Sequence, residues 1–253
     1  MRLDKKVAVV TGSGSGIGRA SATLFAKEGA KVVIADINDA GGEETVKTIK
    51  SNGGEAVFIH TDVSKTSDAE NLIKRTVETF GKIDIFFNNA GTPQKTMPFE
   101  TLEESLWDHL YATNVKGIYL TTKNLIPVMK KAAHGVIINL ASMAGVRPRP
   151  GSAAYAGTKA AVIHLTKALA IELAPFKIRV NCINPAAVDT PMLPKFKEDG
   201  QDLDKFYEGA KASMPLGRIA TPQDVANAAL FLASDEASII TGICINVDGG
   251  RGI

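Results

Sequence analysis

The chain has 253 residues, of which 45% are hydrophobic, enough to bury one sizeable core. Its 29 Lys and Arg balance 27 Asp and Glu to a formal charge of +2, which leaves no footprint for nucleic acid or a polybasic membrane contact. The N-terminal MRLDKKVAVVTG has an apolar run too short for a secretion signal or a membrane span, so a soluble, cytoplasmic protein is expected.

Short β-branched runs alternate along the chain with longer amphipathic stretches. Val7–Val10 reads as a strand and Gly16–Glu28 as a helix. Val32–Ala35 is the next strand, and a polar helix over Asp39–Ser51 leads to a strand at Ala56–His60. Helical spacing over Thr66–Phe80 precedes a buried strand at Ile83–Phe87. A long helix is predicted from Leu102 to Lys131, bent near Gly117. Val136–Leu140 is a strand, Ser152–Ala174 a helix and Arg179–Ile183 a strand. Thr221-Pro222 looks like a helix start, with Thr as N-cap and Pro at the first position. Ile243–Val247 is the last strand.

Strands joined by helical crossovers imply an α/β fold: a doubly wound, Rossmann-like, seven-stranded and mostly parallel sheet with helices on both faces. One domain over residues 1–253 is expected. The segment at about 186–215 breaks the rhythm with Pro, Gly and aromatic residues among charges. Such a long irregular insertion reads as a substrate-binding lid. Cys182 and Cys244 sit in apolar contexts without C-x-x-C spacing and read as buried, reduced core residues. His60, His109, His134 and His164 share no metal-ligand spacing, so no metal site is expected.

Residues 11–18 read TGSGSGIG, directly after the first strand. The G-x-G-x-x-G spacing fails, because the third glycine would fall at Ile17 or at Arg19. A P-loop fails too, since no Gly-Lys-Ser/Thr closes the run. Even so, glycines at a strand-to-helix turn let a ligand approach the backbone, and the helix start offers N–H groups to a pyrophosphate. Asp36 ends the second strand about twenty residues on, where a carboxylate can accept the ribose hydroxyls of NAD and repel the extra phosphate of NADP. A helix N-cap or turn residue is its plainer reading. Asp62-Val63 and Asn88-Asn89-Ala90-Gly91 follow the third and fourth strands, again where ligands bind in such sheets.

Ser142 follows the fifth strand. Thirteen residues later comes Tyr155, with Lys159 one helical turn beyond on the same face. A phenol is a poor acid or base at neutral pH, and a neighbouring ammonium would lower its pKa. Tyr155 could then exchange a proton with an alcohol or ketone while Ser142 hydrogen-bonds the same oxygen. Arg147-Pro148-Arg149 could meet an anionic substrate or be a solvated turn.

Together these residues resemble the short-chain dehydrogenase/reductase family, in its compact single-domain branch. TGSGSGIG is similar to that family's TGxxxGxG loop and Asn88-Asn89-Ala90-Gly91 to its NNAG motif. Asn114, Ser142, Tyr155 and Lys159 fall on its catalytic tetrad. The resemblance implies Tyr155 as general acid/base, Lys159 on the nicotinamide ribose, Ser142 on the substrate oxygen and Asn114 ordering a water for a proton relay. It implies cofactor contacts from Gly12, Ser15, Gly16, Ile17 and Gly18, from Asp36 and Ile37, and from Asp62 and Val63. Asn89, Ala90, Gly91 and Pro185 would add to these, with Val188 and Thr190 at the carboxamide. The family usually has Pro-Gly where this chain has Pro185-Ala186, which puts the backbone path to Thr190 in question. The expected activity is NAD-dependent interconversion of a small secondary alcohol and a ketone, in a homotetramer, with no nucleic-acid or membrane partner. An NADPH-dependent 3-oxoacyl-carrier-protein reductase and a non-enzymatic dinucleotide sensor are the alternatives.

Overall fold

The computed structural model describes all residues 1–253. Seven parallel strands form one sheet in the order β3-β2-β1-β4-β5-β6-β7. They are β1 (Val7–Thr11), β2 (Lys31–Asp36), β3 (Glu55–His60), β4 (Ile85–Asn88), β5 (Gly135–Leu140), β6 (Ile178–Pro185) and β7 (Cys244–Val247). The helices are α1 (Gly16–Lys27), α2 (Asp39–Ser51), α3 (Thr66–Phe80), α4 (Glu104–Tyr111), α5 (Gly117–Ala132), α6 (Ala153–Leu173), α7 (Leu203–Ala212) and α8 (Pro222–Ala233). None is long and apolar enough to cross a membrane.

The central strands are apolar without alternation because both sheet faces are covered. Neighbouring residues of one strand serve opposite cores. Phe87 packs with Phe25, Ile34 and Val225 under α1 and α8. Phe86 packs with Leu72, Leu125 and Met129 under α3 and α5. The chain winds outward from β1 to β3 and then returns to place β4 on the other side of β1. That reversal opens a crevice at the carboxyl ends of β1 and β4, the usual ligand position in such sheets. The glycine-rich loop leaves β1 at this crevice, and Asn89-Ala90-Gly91 leaves β4.

Three expectations change. β4 starts at Ile85; the buried Asp84 before it accepts the Val7 N–H at 2.7 Å and pairs with Lys82 at 2.9 Å. The helix predicted over Leu102–Lys131 is two helices joined by a π turn at Ala112–Lys116. Gly117 does not act as a bend; a Cβ there would come 2.9 Å from Val63 Cγ2, so this glycine lets α5 sit close on the loop after β3. Finally, the segment at 186–215 is not irregular throughout. It carries a single-turn helix at Leu193–Phe196 and all of α7, whose first turn is capped by Asp202 accepting the Lys205 N–H at 2.9 Å.

Candidate active site

The glycine loop is shaped by close approach. Gly12 and Gly16 have φ of +63° and +51°, a region L side chains avoid. A Cβ on Gly12 would lie 2.8 Å from Ala90 Cα, and one on Gly18 would lie 2.2 Å from the Gly12 carbonyl oxygen. The loop is sewn to the neighbouring turn. Thr11 Oγ1 accepts the N–H groups of Asn89 and Ala90 at 3.1 and 3.0 Å. Asn89 Nδ2 donates to the carbonyls of Thr11 and Gly12 at 2.8 and 3.0 Å.

Ser15 is the N-cap of α1, yet its side chain caps nothing. The first-turn N–H groups of Gly16, Ile17 and Gly18 are therefore free for an anion. Asp36 lies one strand away. Its Oδ2 accepts the Gly14 N–H at 2.7 Å and its Oδ1 the Asn38 N–H at 2.9 Å. Each oxygen retains acceptor capacity for a hydroxyl. Gly14 is glycine for this contact, since a Cβ would come 2.9 Å from Asp36 Oδ2. A cradle of uncapped amides followed by a carboxylate suits a dinucleotide with a free ribose. Arg19 borders the same corner, but its guanidinium is held by Thr45 Oγ1 and by the carbonyls of Gly14 and Gly41.

Ile37 is exposed beside Asp36. Asp62 accepts from the N–H and hydroxyl of Ser64 at 3.0 and 2.7 Å. Burial pushes its carboxyl up, but these bonds and Lys65 outweigh that and hold it below its usual value. Asp62 therefore shapes the turn into α3, and Val63 is packed under Gly117. Asp36, Ile37, Asp62 and Val63 stand along the ends of β2 and β3, outside the main cavity.

That cavity, of about 530 Å³, brings together Ile17, Asn89, Gly91, Ser142, Tyr155, Lys159, Pro185, Val188 and Thr190. Ser142 caps a single-turn helix, Met143–Gly145, by accepting the Ala144 N–H at 3.1 Å, and its hydroxyl donates weakly to the Pro185 carbonyl at 3.5 Å. The turn rests directly on α6, because Gly145 lacks a Cβ that would lie 2.6 Å from the Lys159 carbonyl carbon. This contact sets Ser142 beside Tyr155. Val188 forms an isolated bridge to Ala220, and Thr190 packs against Gly16. The Ala186 N–H donates to the Val247 carbonyl at 3.2 Å, which ties the start of this segment to β7.

Burial pushes the Tyr155 phenol up to about 12, and the nearby Ser142 hydroxyl lowers it only in part. Lys159 does not lower it in this structure. Its ammonium donates to the Leu140 carbonyl at 2.8 Å and lies over the Tyr155 ring, 5.7 Å from the ring centroid. Burial in turn brings Lys159 down to about 8, with a small opposing effect from Cys182. Asn114 is buried in the π turn. Its Oδ1 accepts the Thr92 N–H at 2.8 Å, and its Nδ2 donates to the Thr92 carbonyl and Thr158 Oγ1 at 3.0 and 3.2 Å. It thus clamps the loop after β4 to α6, one contact from Gly91 and Lys159.

Three contributors have no individual role in the sequence reading, although Gln94 and Phe196 fall in segments expected to wall the pocket and Phe196 in the expected lid. Gln94 is buried and accepts the Tyr155 N–H at 2.9 Å, while Phe196 meets the Tyr155 ring edge-on at a centroid distance of 5.1 Å. Phe196 is itself held through its carbonyl, which accepts from Thr96 Oγ1 at 2.8 Å. Arg251, near the C-terminus, joins the cavity wall. None has a local signal; each depends on chain segments far apart in sequence.

A family model described as enoyl-(acyl carrier protein) reductase matches residues 12–251. The chain is 41% identical to 4-formylbenzenesulfonate dehydrogenase of Comamonas testosteroni, over 100% of both chains. It is 38% identical to cyclopentanol dehydrogenase of a Comamonas species, over 98% of each. Among solved structures, 3-ketoacyl-(acyl-carrier-protein) reductase from Brucella melitensis, complexed with NADH, superposes with a TM-score of 0.93 at 44% identity. That match covers 99% of this chain and 100% of the other.

Proposed function

The chain belongs to the short-chain dehydrogenase/reductase family, whose members among its relatives are oxidoreductases, and from that premise we propose that it uses NAD to interconvert a secondary alcohol and a ketone. The observation that carries the reading is the convergence of Ser142, Tyr155 and Lys159 with Ile17, Asn89 and Thr190 in one cavity. The acid/base groups and the dinucleotide cradle share that space.

A bound nicotinamide dinucleotide would supply the hydride acceptor or donor and, when oxidised, a positive charge in the site. The uncapped amides of α1 would hold the pyrophosphate. Asp36 accepts the ribose hydroxyls and opposes a phosphate at the same place, while Arg19 is already committed to backbone carbonyls. Ser142 donates to the substrate oxygen and orients it towards Tyr155. Tyr155 takes the alcohol proton in oxidation and returns it in reduction. With its phenol pushed up to about 12 by burial, Tyr155 needs positive charge close by to act as a base. Lys159, whose ammonium donates to the Leu140 carbonyl in this structure, would supply part of that charge and hold the nicotinamide ribose when the cofactor is bound. Asn114 holds the loop against which Lys159 works and leads the proton to water. Residues 186–215 close over the tyrosine, with Phe196 already against its ring.

The test is a panel of secondary alcohols with NAD and with NADP, followed by NADH absorbance. NAD is expected to be preferred by about tenfold or more, equal to roughly 1.4 kcal/mol; a preference for NADP would overturn the cofactor assignment. Tyr155→Phe is expected to lower kcat by about 10²–10⁴ with the fold intact, and full turnover in that variant would end the mechanism. The similarity to the carrier-protein reductase favours one second reading, reduction of a 3-oxoacyl thioester. Faster turnover of acetoacetyl thioesters than of any free ketone would select it.

A further inference from the structure

Two arginines stand where the cavity meets a second one. Arg149, after β5, and Arg251, near the C-terminus, both line the cavity that holds Ser142 and Tyr155. Both also line an adjoining cavity of about 400 Å³, whose walls contain Arg147 but no Asp or Glu. Arg147 is committed to structure: its Nη1 donates to the Arg251 and Ile253 carbonyls at 2.8 and 3.2 Å, tying the post-β5 loop to the C-terminal segment. The guanidiniums of Arg149 and Arg251 make no hydrogen bond within the chain, and its ion pairs all lie elsewhere. The nearby Asp248 spends its carboxylate on the N–H groups of Gly250 and Gly252, at 3.0 and 2.7 Å.

Like charges brought together and partly buried are unfavourable unless an anion joins them. Arg149 is exposed and Arg251 half-buried. Burial brings Arg251 down to about 10, with Arg149 and Arg147 adding to the shift, and Arg149 falls through burial and then Arg147. A guanidinium's planar fork matches a carboxylate or sulfonate in bidentate fashion. The cavity they share with Tyr155 is lined by Leu193, Phe196 and Phe206, along with the polar Glu198, Gln201 and Lys205.

We propose that Arg149 and Arg251 form an anion subsite for the substrate. The alcohol or ketone turned over then carries a carboxylate or sulfonate remote from the reacting carbon, with an apolar ring or chain between. The inference rests on the redox reading of the same cavity. Arg149 is exposed at the mouth of the cavity and Arg251 is half-buried, so the subsite is open to a small anion entering from solvent.

The test compares 3-oxocyclohexanecarboxylate, its methyl ester and 3-oxocyclohexanesulfonate with NADH and the full chain. Both anions are expected to exceed the ester in kcat/KM by about tenfold or more, with the advantage shrinking as ionic strength rises. In the double variant Arg149→Gln, Arg251→Gln the anion-to-ester ratio should fall at least tenfold, through KM. A separate calorimetric titration of the NADH complex compares benzoate with benzamide; the wild type should bind benzoate more tightly, and the variant should lose that difference. Equal kcat/KM for acid and ester overturns the subsite. So does an arginine effect confined to carrier-bound thioesters. If no ketone reacts, the redox reading fails and the benzoate titration still judges the subsite. If the double variant does not fold, the wild-type comparisons decide.

Discussion

Lys159 keeps an ammonium at 4% exposure, with one carbonyl as its hydrogen-bond partner. Burial lowers its pKa to about 8, against about 10.4 in an unfolded chain. Between these values the unfolded state binds more protons than the folded one, so stability rises with pH across that window. Below pH 8 the full penalty is present, on the order of 3 kcal/mol at most. Lys159→Met is therefore expected to raise Tm at pH 7, by about 2–4 °C for each kcal/mol recovered, and to lose that advantage near pH 10. Its turnover should fall sharply. A variant no more stable than wild type at pH 7 would mean that the ammonium is better solvated than its surroundings suggest. Ser142, Tyr155 and Lys159 were singled out because they stand at a strand end and on one helical face; Asn114, inside the π turn, was reached only through the family resemblance. Gln94 was not, because its value lies in accepting a backbone N–H from a residue 61 positions away. The charge on Lys159 was legible as well, but its partner was not: the Leu140 carbonyl is presented by the end of a different strand.

At the level of elements, α8 couples stability to the site. Thr221 and Asp224 form a reciprocal capping box at its start, and Arg218 pairs with Asp224 at the same end. The hydrogen bond with Arg218 holds the Asp224 carboxyl well below its ordinary value. Its contribution is thus present above pH ~4 and lost as pH falls further. Ala220, directly before the cap, bridges Val188 in the loop proposed to meet nicotinamide. Thr221→Ala should cost about 1 kcal/mol, a fall of about 2–4 °C in Tm. It should also raise KM for NAD more than KM for the alcohol; equal changes in both would detach α8 from the cofactor loop. This cap was readable from Thr-Pro-Gln-Asp because its partners are three residues apart. The strands were readable because parallel strands covered on both faces are continuous apolar runs. The π turn at Ala112–Lys116 was not, since its wider backbone bonding leaves the apolar period of the flanking helices nearly unbroken. Nor was α7, a short amphipathic helix inside a segment rich in Pro and Gly.

The whole molecule leaves one helix unfinished. α6 buries one face on the sheet and leaves the other exposed, where apolar Ala160, Ala168 and Ile171 stand beside His164, Lys167 and Glu172. Its inner face meets the sheet through Val162, Ala170 and Leu173. Its outer face presents Ala160, His164, Ala168 and Ile171 in one stripe, with Ile171 80% exposed. Small side chains at 160 and 168 would let a second helix approach closely. Trp107 and Tyr119 add partly exposed aromatic surface on α4 and α5, and β7 leaves a free sheet edge of the kind that proteins usually cover. We propose that copies of this chain cover these surfaces in a homotetramer, with α6 against α6. Light scattering should then give four times the chain mass at micromolar concentration. Ala168→Arg should split the assembly by placing a long charged side chain in the stripe. Because Tyr155 and Lys159 lie on the inner face of the same helix, the split protein should also melt earlier and lose kcat/KM. A wild-type protein that scatters as a monomer would refute the assembly. A dissociated variant with unchanged kinetics would show instead that α6 is held by the sheet alone, and that the site is complete within one chain.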